Sequence, residues 1–158
     1  EDRRAAATVL GYAESGEMVT LREGTNDIVC LADDPSDERL HVVCYQRDLE
    51  PFMKRGRELA AAGMNRAESR AQRKAAIEAG TLPMPDQPSA LYSLTGELST
   101  YDASTGAIDG AAPLYVVYIP YATPASTGLS TSAPGSGAPW IMDPGEPWAH
   151  IMVVPPRQ

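Results

Sequence analysis

Two cysteines, two histidines and one acidic loop are the residues of this 158-residue chain whose types and spacing could do chemistry. Cys30 and Cys44 bracket Leu31-Ala-Asp-Asp-Pro-Ser-Asp-Glu-Arg-Leu-His-Val-Val43. Three states are open to them, a disulfide, two buried thiols, or a metal or redox pair, and the Cys30–Cys44 disulfide is the one expected. A bridge closing a loop of this size contributes about 3 kcal/mol in the chain-entropy picture. His41 is the only ligand or base close by in sequence. Tetrahedral zinc needs four ligands, and with two histidines in the chain no metal is expected. A catalytic thiol would have to use His41 as its base. Asp33, Asp34, Asp37 and Glu38 could gather oxygens for calcium, but their spacing is not that of an EF-hand loop, so a solvated acidic turn is expected.

His150 stands inside an apolar run, Trp148-Ala-His-Ile-Met-Val-Val154. A histidine there needs a partner for each ring nitrogen, or desolvation disfavours its charged form. It is either structural, bonded to backbone or to a carboxylate such as Asp143 or Glu146, or a ligand group or general base lining a pocket. Trp140, Trp148 and His150 form the predicted binding site, and His150 is the one weak catalytic candidate. No Gly-x-Ser-x-Gly elbow, Ser-x-x-Lys pair, phosphate loop or dinucleotide fingerprint occurs, and no cofactor is expected.

Charge narrows the partners. The net charge is −8 with a pI near 4.7, which argues against a nucleic-acid binder. Residues 45–80 run the other way: eight basic groups against five acids make the segment +3, leaving −11 for the remainder. Such a segment reads as a solvated helix surface against an acidic body, or as a basic face for an anionic partner. No apolar run is long enough for a membrane span. The chain opens at Glu1 rather than Met, which fits a mature form from which a targeting segment has been removed.

The elements that must position these residues follow from pattern. Two β-prone runs, 5–12 and 18–22, flank a Gly-containing turn, and 28–31 resumes an apolar run, so a three-strand meander is expected. The segment after Cys44 is expected to turn helical. Asp48, Glu50 and Pro51 suit a helix start, and Gly63 a stop. Asn65 with Glu68 predicts a capping box for a second helix ending at Gly80. Residues 89–94 read as a short strand. Leu114-Tyr-Val-Val-Tyr-Ile119 reads as a central strand covered on both sides, and the tyrosines at 115, 118 and 121 as sheet packing. Residues 122–139 are low-complexity and read as a mobile segment or a lid. Trp140–Met142 and 148–154 make a closing hairpin around Asp143-Pro-Gly-Glu146.

Leu21-Arg-Glu-Gly-Thr-Asn26, Cys30-Leu-Ala-Asp-Asp-Pro35 with Cys44, and Gly145-Glu-Pro-Trp-Ala-His-Ile-Met152 together resemble a group of uncharacterised exported bacterial proteins. That group carries the same Leu-Arg-Glu-Gly-Thr-Asn turn, two cysteines around an Asp-x-Pro loop, and a Gly-x-Pro-aromatic-Ala-His-Ile-Met strand. The resemblance implies a small exported domain and assigns no catalytic residue. The group's helix after the second cysteine is rich in Trp, whereas this chain has Phe52 and Met53 there.

The expectation is one α+β domain over 1–158: an antiparallel sheet of about five or six strands, with one or two helices from about 48–80 on one face. The expected function is a non-catalytic exported binding domain, periplasmic or secreted, with its site around Trp140, Trp148 and His150 beside the 122–139 loop. The rivals are a small hydrolase using His150 as general base and a self-associating structural protein. The partners these imply are a small molecule, another protein, or a second copy of the chain.

Overall fold

The structure is a computed structural model that describes residues 2–156. Its strands are β1 (Thr8–Tyr12), β2 (Met18–Arg22), β3 (Ile28–Leu31), β4 (Arg39–Gln46), β5 (Ser89–Glu97), β6 (Tyr101–Asp102), β7 (Ala107–Ile108), β8 (Ala112–Tyr118), β9 (Trp140–Met142) and β10 (His150–Val153). The helices are α1 (Asp2–Ala5), α2 (Glu50–Ala61), α3 (Arg66–Glu78) and α4 (Pro124–Thr127). The class is α+β as expected, but the main sheet has eight strands rather than five or six, in the order β2-β1-β3-β4-β5-β8-β10-β9. β6 and β7 pair as a separate hairpin.

The N-terminal strands are not a meander. β2 folds back on β1, and the chain then crosses the start of β1 to lay β3 parallel on its other side. Gly24 makes the crossing possible. A Cβ there would sit 2.1 Å from the Thr8 amide nitrogen and 2.6 Å from the Ala6 carbonyl oxygen. The Thr25 and Asn26 amides donate to that same Ala6 carbonyl, at 2.8 and 3.1 Å. Asn26 donates through its side chain to the Arg3 carbonyl, and Arg22 donates to the carbonyls of Arg4 and Ala7. The Leu-Arg-Glu-Gly-Thr-Asn turn is therefore a strand-crossing device, with its Arg22 and Asn26 side chains bonded to backbone.

β4 is the other departure. Residues 39–46 form a strand where the segment at Cys44 was expected to turn helical. The stretch is rich in β-branched and aromatic residues, and β3 and β5 supply partners on both sides. Its register sets Cys30 directly opposite Cys44, with Cα atoms 4.0 Å apart, and the two are disulfide-bonded. The bridge staples neighbouring strands rather than a strand to a helix. The helical segment starts after it, with a short 3-10 turn over Arg47–Leu49, so Asp48 lies inside that turn and does not cap the next helix, whose N-cap is Leu49.

α2 has Pro51 in its first turn and buries Phe52 and Leu59, seven residues apart on one face. α3 starts as predicted: Asn65 accepts from the Ala67 and Glu68 amides, and the Glu68 carboxylate accepts from the Asn65 amide. The helices cover one face of the sheet. Val29, Tyr45, Leu49 and Met53 form one core cluster there, and Phe52, Leu82 and Trp148 a second. Burying a side chain of this size contributes about 1.5–3 kcal/mol. β8 lies between β5 and β10, but only one of its faces is deeply covered. Tyr118 joins the core, while Tyr115 packs edge-on against Tyr92 on the outer face with both rings exposed, and Tyr121 is exposed.

The 122–139 segment has a structural place. Leu129 packs on Ala122, Ile141 and Ala149, and the Ser130 carbonyl accepts from the Ile141 amide at 2.9 Å. It closes the β9 edge. No helix among the described residues is long and apolar enough to cross a membrane.

Candidate functional site

Strand alternation decides what surrounds His150. Trp148 and His150 project from one side of the final strand segment, and Ala149 and Ile151 from the other. Ile141 is the register partner of Ile151, so the Leu129 cluster lies on the opposite face from His150. The 122–139 segment does not cover His150; the helices do. Trp140 pairs with Met152, on the same face as His150 but one pleat repeat further along, and it does not line the cavity there. Of the three predicted binding residues, the fold brings Trp148 and His150 together and leaves Trp140 apart.

The cavity holding Trp148 and His150 has a volume of about 140 Å³. Its floor is aromatic. Phe52 stacks on Trp148 with ring centroids 6.2 Å apart and meets Tyr118 edge-on at 6.3 Å, and Tyr118 lies 5.1 Å from the His150 ring. Its wall is basic. Arg66, Arg70 and Arg73 recur on one side of α3, at i, i+4 and i+7. The Arg70 guanidinium lies 5.1 Å over the Trp148 ring, and that of Arg73 lies 4.3 Å over Phe52.

The one carboxylate lining the cavity is Asp143, ion-paired with Arg70. Burial pushes the Asp143 pKa up, but the Arg70 hydrogen bond and charge outweigh it, with help from His150 and Trp148, and the result lies below the usual carboxylate value. Asp143 also has φ of +49°, a left-handed conformation that Asp tolerates better than most residues. One turn along α3, Lys74 pairs with Glu146 at 2.7 Å. The two pairs dock α3 onto the turn between β9 and β10.

Several donors in the cavity have no acidic partner. Burial lowers the Arg73 pKa, and its Nε donates only to the Ser69 carbonyl of its own helix, at 3.4 Å. Arg66, at the exposed rim, makes no ion pair among the described residues. The Trp148 indole N–H is buried with no partner at hydrogen-bond geometry, and it lies close enough to Asp143 to help lower that carboxylate's pKa. His150 donates from Nδ1 to the Trp148 carbonyl at 2.8 Å, which leaves Nε2 as the basic nitrogen of the neutral ring.

Sequence reasoning placed the three arginines in a basic segment but not at a site. Their i, i+4, i+7 spacing on an alanine-rich helix was the available signal. Phe52, Tyr118 and the role of Asp143 carried no comparable sign.

The other candidates resolve into structure. Asp34 accepts from the Ser36 amide and hydroxyl, Asp33 from the His41 amide, and Asp37 from the Arg39 amide, so these carboxylates shape the loop after β3. His41 shares a hydrogen bond with Ser93 at 3.0 Å. A larger groove of about 400 Å³ lies between β2 and α2, but its charges balance, Glu50 and Glu58 against Lys54 and Arg57. Glu50, Arg57 and the Tyr45 hydroxyl are bonded to one another. Comparison with family models, curated proteins and solved structures finds no match for this chain.

Proposed function

We propose that this protein is a non-catalytic exported binding domain whose ligand site is the aromatic-floored cavity between α3 and the final hairpin. The observation that carries the reading is the imbalance of charge there: three guanidinium groups line one small aromatic-floored cavity against a single carboxylate, and Arg66 and Arg73 have no acidic partner in it. Binding sites have this make-up, an apolar lining with a few placed polar groups. Export is supported by the Cys30–Cys44 bridge, since such bridges persist in oxidising compartments.

Binding is preferred to hydrolysis on geometry. The residues lining the cavity include no serine, threonine or cysteine, and one nitrogen of His150 is committed to backbone. A hydrolase working through a covalent intermediate would need a nucleophile within hydrogen-bond reach of that ring. The test is a fragment screen read by nuclear magnetic resonance. The expected result is that binders shift the Trp148 indole and His150 ring signals. Binders that collect instead in the groove between β2 and α2 would displace the site.

A further inference from the structure

We propose that the cavity takes a doubly charged oxyanion of the phosphate-monoester class, gripped between Arg66 and Arg73 beside the Trp148 ring. This rests on the reading of the cavity as a ligand site and adds the chemistry of what fills it.

Charge comes first. Three guanidinium groups line the cavity against one carboxylate, and Arg70 already holds that carboxylate. Arg66 and Arg73 are thus two positive charges with no carboxylate of their own in the cavity, which a dianion matches and a monoanion does not. Glu146, the nearest other acid on the hairpin turn, is bound to Lys74.

Hydrogen bonding agrees. The groups open to the cavity are donors: the guanidinium N–H groups of Arg66 and Arg73, of which only the Arg73 Nε has a partner, the Ser69 carbonyl. Guanidinium forks match the oxygens of phosphate in pairs. A half-buried guanidinium that stays protonated costs the fold free energy, and an oxyanion beside Arg73 relieves that cost.

The neighbouring helix is shaped to hold Arg73 there. Gly56 lies mid-helix in α2, where glycine is unfavourable relative to alanine by about 1 kcal/mol. A Cβ at that position would come within 3.0 Å of Arg73 Nη1. The small cavity suits a compact oxyanion, with any larger substituent left at the open rim beside Arg66.

The experiment uses the whole chain in a Trp140→Phe background, so that Trp148 is the sole reporter. Inorganic phosphate, phenyl phosphate, acetate and chloride are titrated at constant ionic strength, near pH 7.5, where the phosphate groups are mostly dianionic because their second pKa is about 6. Saturable movement of the Trp148 indole resonance by the phosphates, and not by chloride, supports the proposal. Tighter binding of phenyl phosphate identifies the monoester of a larger molecule, and equal binding identifies free phosphate. Arg66→Gln removes an exposed side chain, so the fold is retained, and it is expected to weaken phosphate roughly tenfold; Arg73→Met should weaken it by more. Saturation by acetate with no response to either phosphate overturns the dianion and leaves the binding reading intact. No saturable response to any of the anions overturns the anion proposal, and the fragment screen then decides whether the cavity binds at all. Equal shifts with chloride would mark simple screening and also overturn it.

Discussion

Arg70, midway along α3, is ion-paired with Asp143 in the turn before the final strand segment. That contact, with Lys74 to Glu146 beside it across 72 residues of sequence, seats the helical layer on the last hairpin and forms the cavity around Trp148 and His150.

The Asp143 pKa lies below its ordinary value, which sets the sign of a pH effect. The stabilisation is present above the unfolded carboxylate pKa of about 4 and is lost as pH falls through the lower folded value. Asp143→Asn should lower the melting temperature at neutral pH, by about 1 kcal/mol in stability terms, and flatten its fall between about pH 4 and 2. Thermal melts of both proteins across that range check this; parallel pH profiles would remove Asp143 from the account.

Loss of the Cys30–Cys44 bridge should be costly but not fatal. The Cys30→Ala, Cys44→Ala double variant is expected to fold with about 3 kcal/mol less stability, because the unfolded chain regains loop freedom. Denaturant midpoints measure it, and mass spectrometry of unreduced native protein should find no free thiol.

Gly24→Ala should be among the most damaging single methyl additions. Its Cβ would press on the backbone of Ala6, Ala7 and Thr8, which no rotamer change relieves. A loss at or above about 3 kcal/mol is expected, the upper end for overpacking. At Gly11 the nearest atom is the tip of the Leu21 side chain, so Gly11→Ala should cost less. Equal melting temperatures for the two variants would contradict the crossing described above.

The segment from 122 to 139 is anchored where its composition predicts mobility. The Ile141 amide, bonded to the Ser130 carbonyl, should exchange slowly with solvent deuterium. Leu129→Ala should speed that exchange and destabilise the protein by about 2 kcal/mol, the low end for a leucine truncation at a partly buried site. Fast exchange at Ile141 in the unmodified protein would restore the reading of a mobile lid.

Much of the fold is legible from local signals. Asn65 and Glu68 announce α3 because capping needs only residues three apart. Pro51 and Glu50 open α2, the β1–β2 turn carries its glycine, and the β-branched run at 112–118 is a strand. β4 was hidden because the charged loop and the second cysteine obscured a strand whose partners, β3 and β5, lie on either side of it in space. The strand count and the parallel β1–β3 pair depend on that same neighbourhood.

By itself the sequence determined most element types though not β4, the capping box of α3, that helix's basic character and the apolar setting of His150. Each of these rests on residues within a turn or two of one another. Only the tertiary structure decided which strands are neighbours and which side of the sheet each residue faces. Alternation assigns Trp148 and His150 to one side and Ala149 and Ile151 to the other, but it does not say which side the helices cover. Packing settled that: α2 and α3 lie over Trp148, and the 122–139 segment lies over Ile141. The three arginines became a cavity wall because a turn far along the chain brought Asp143 to Arg70.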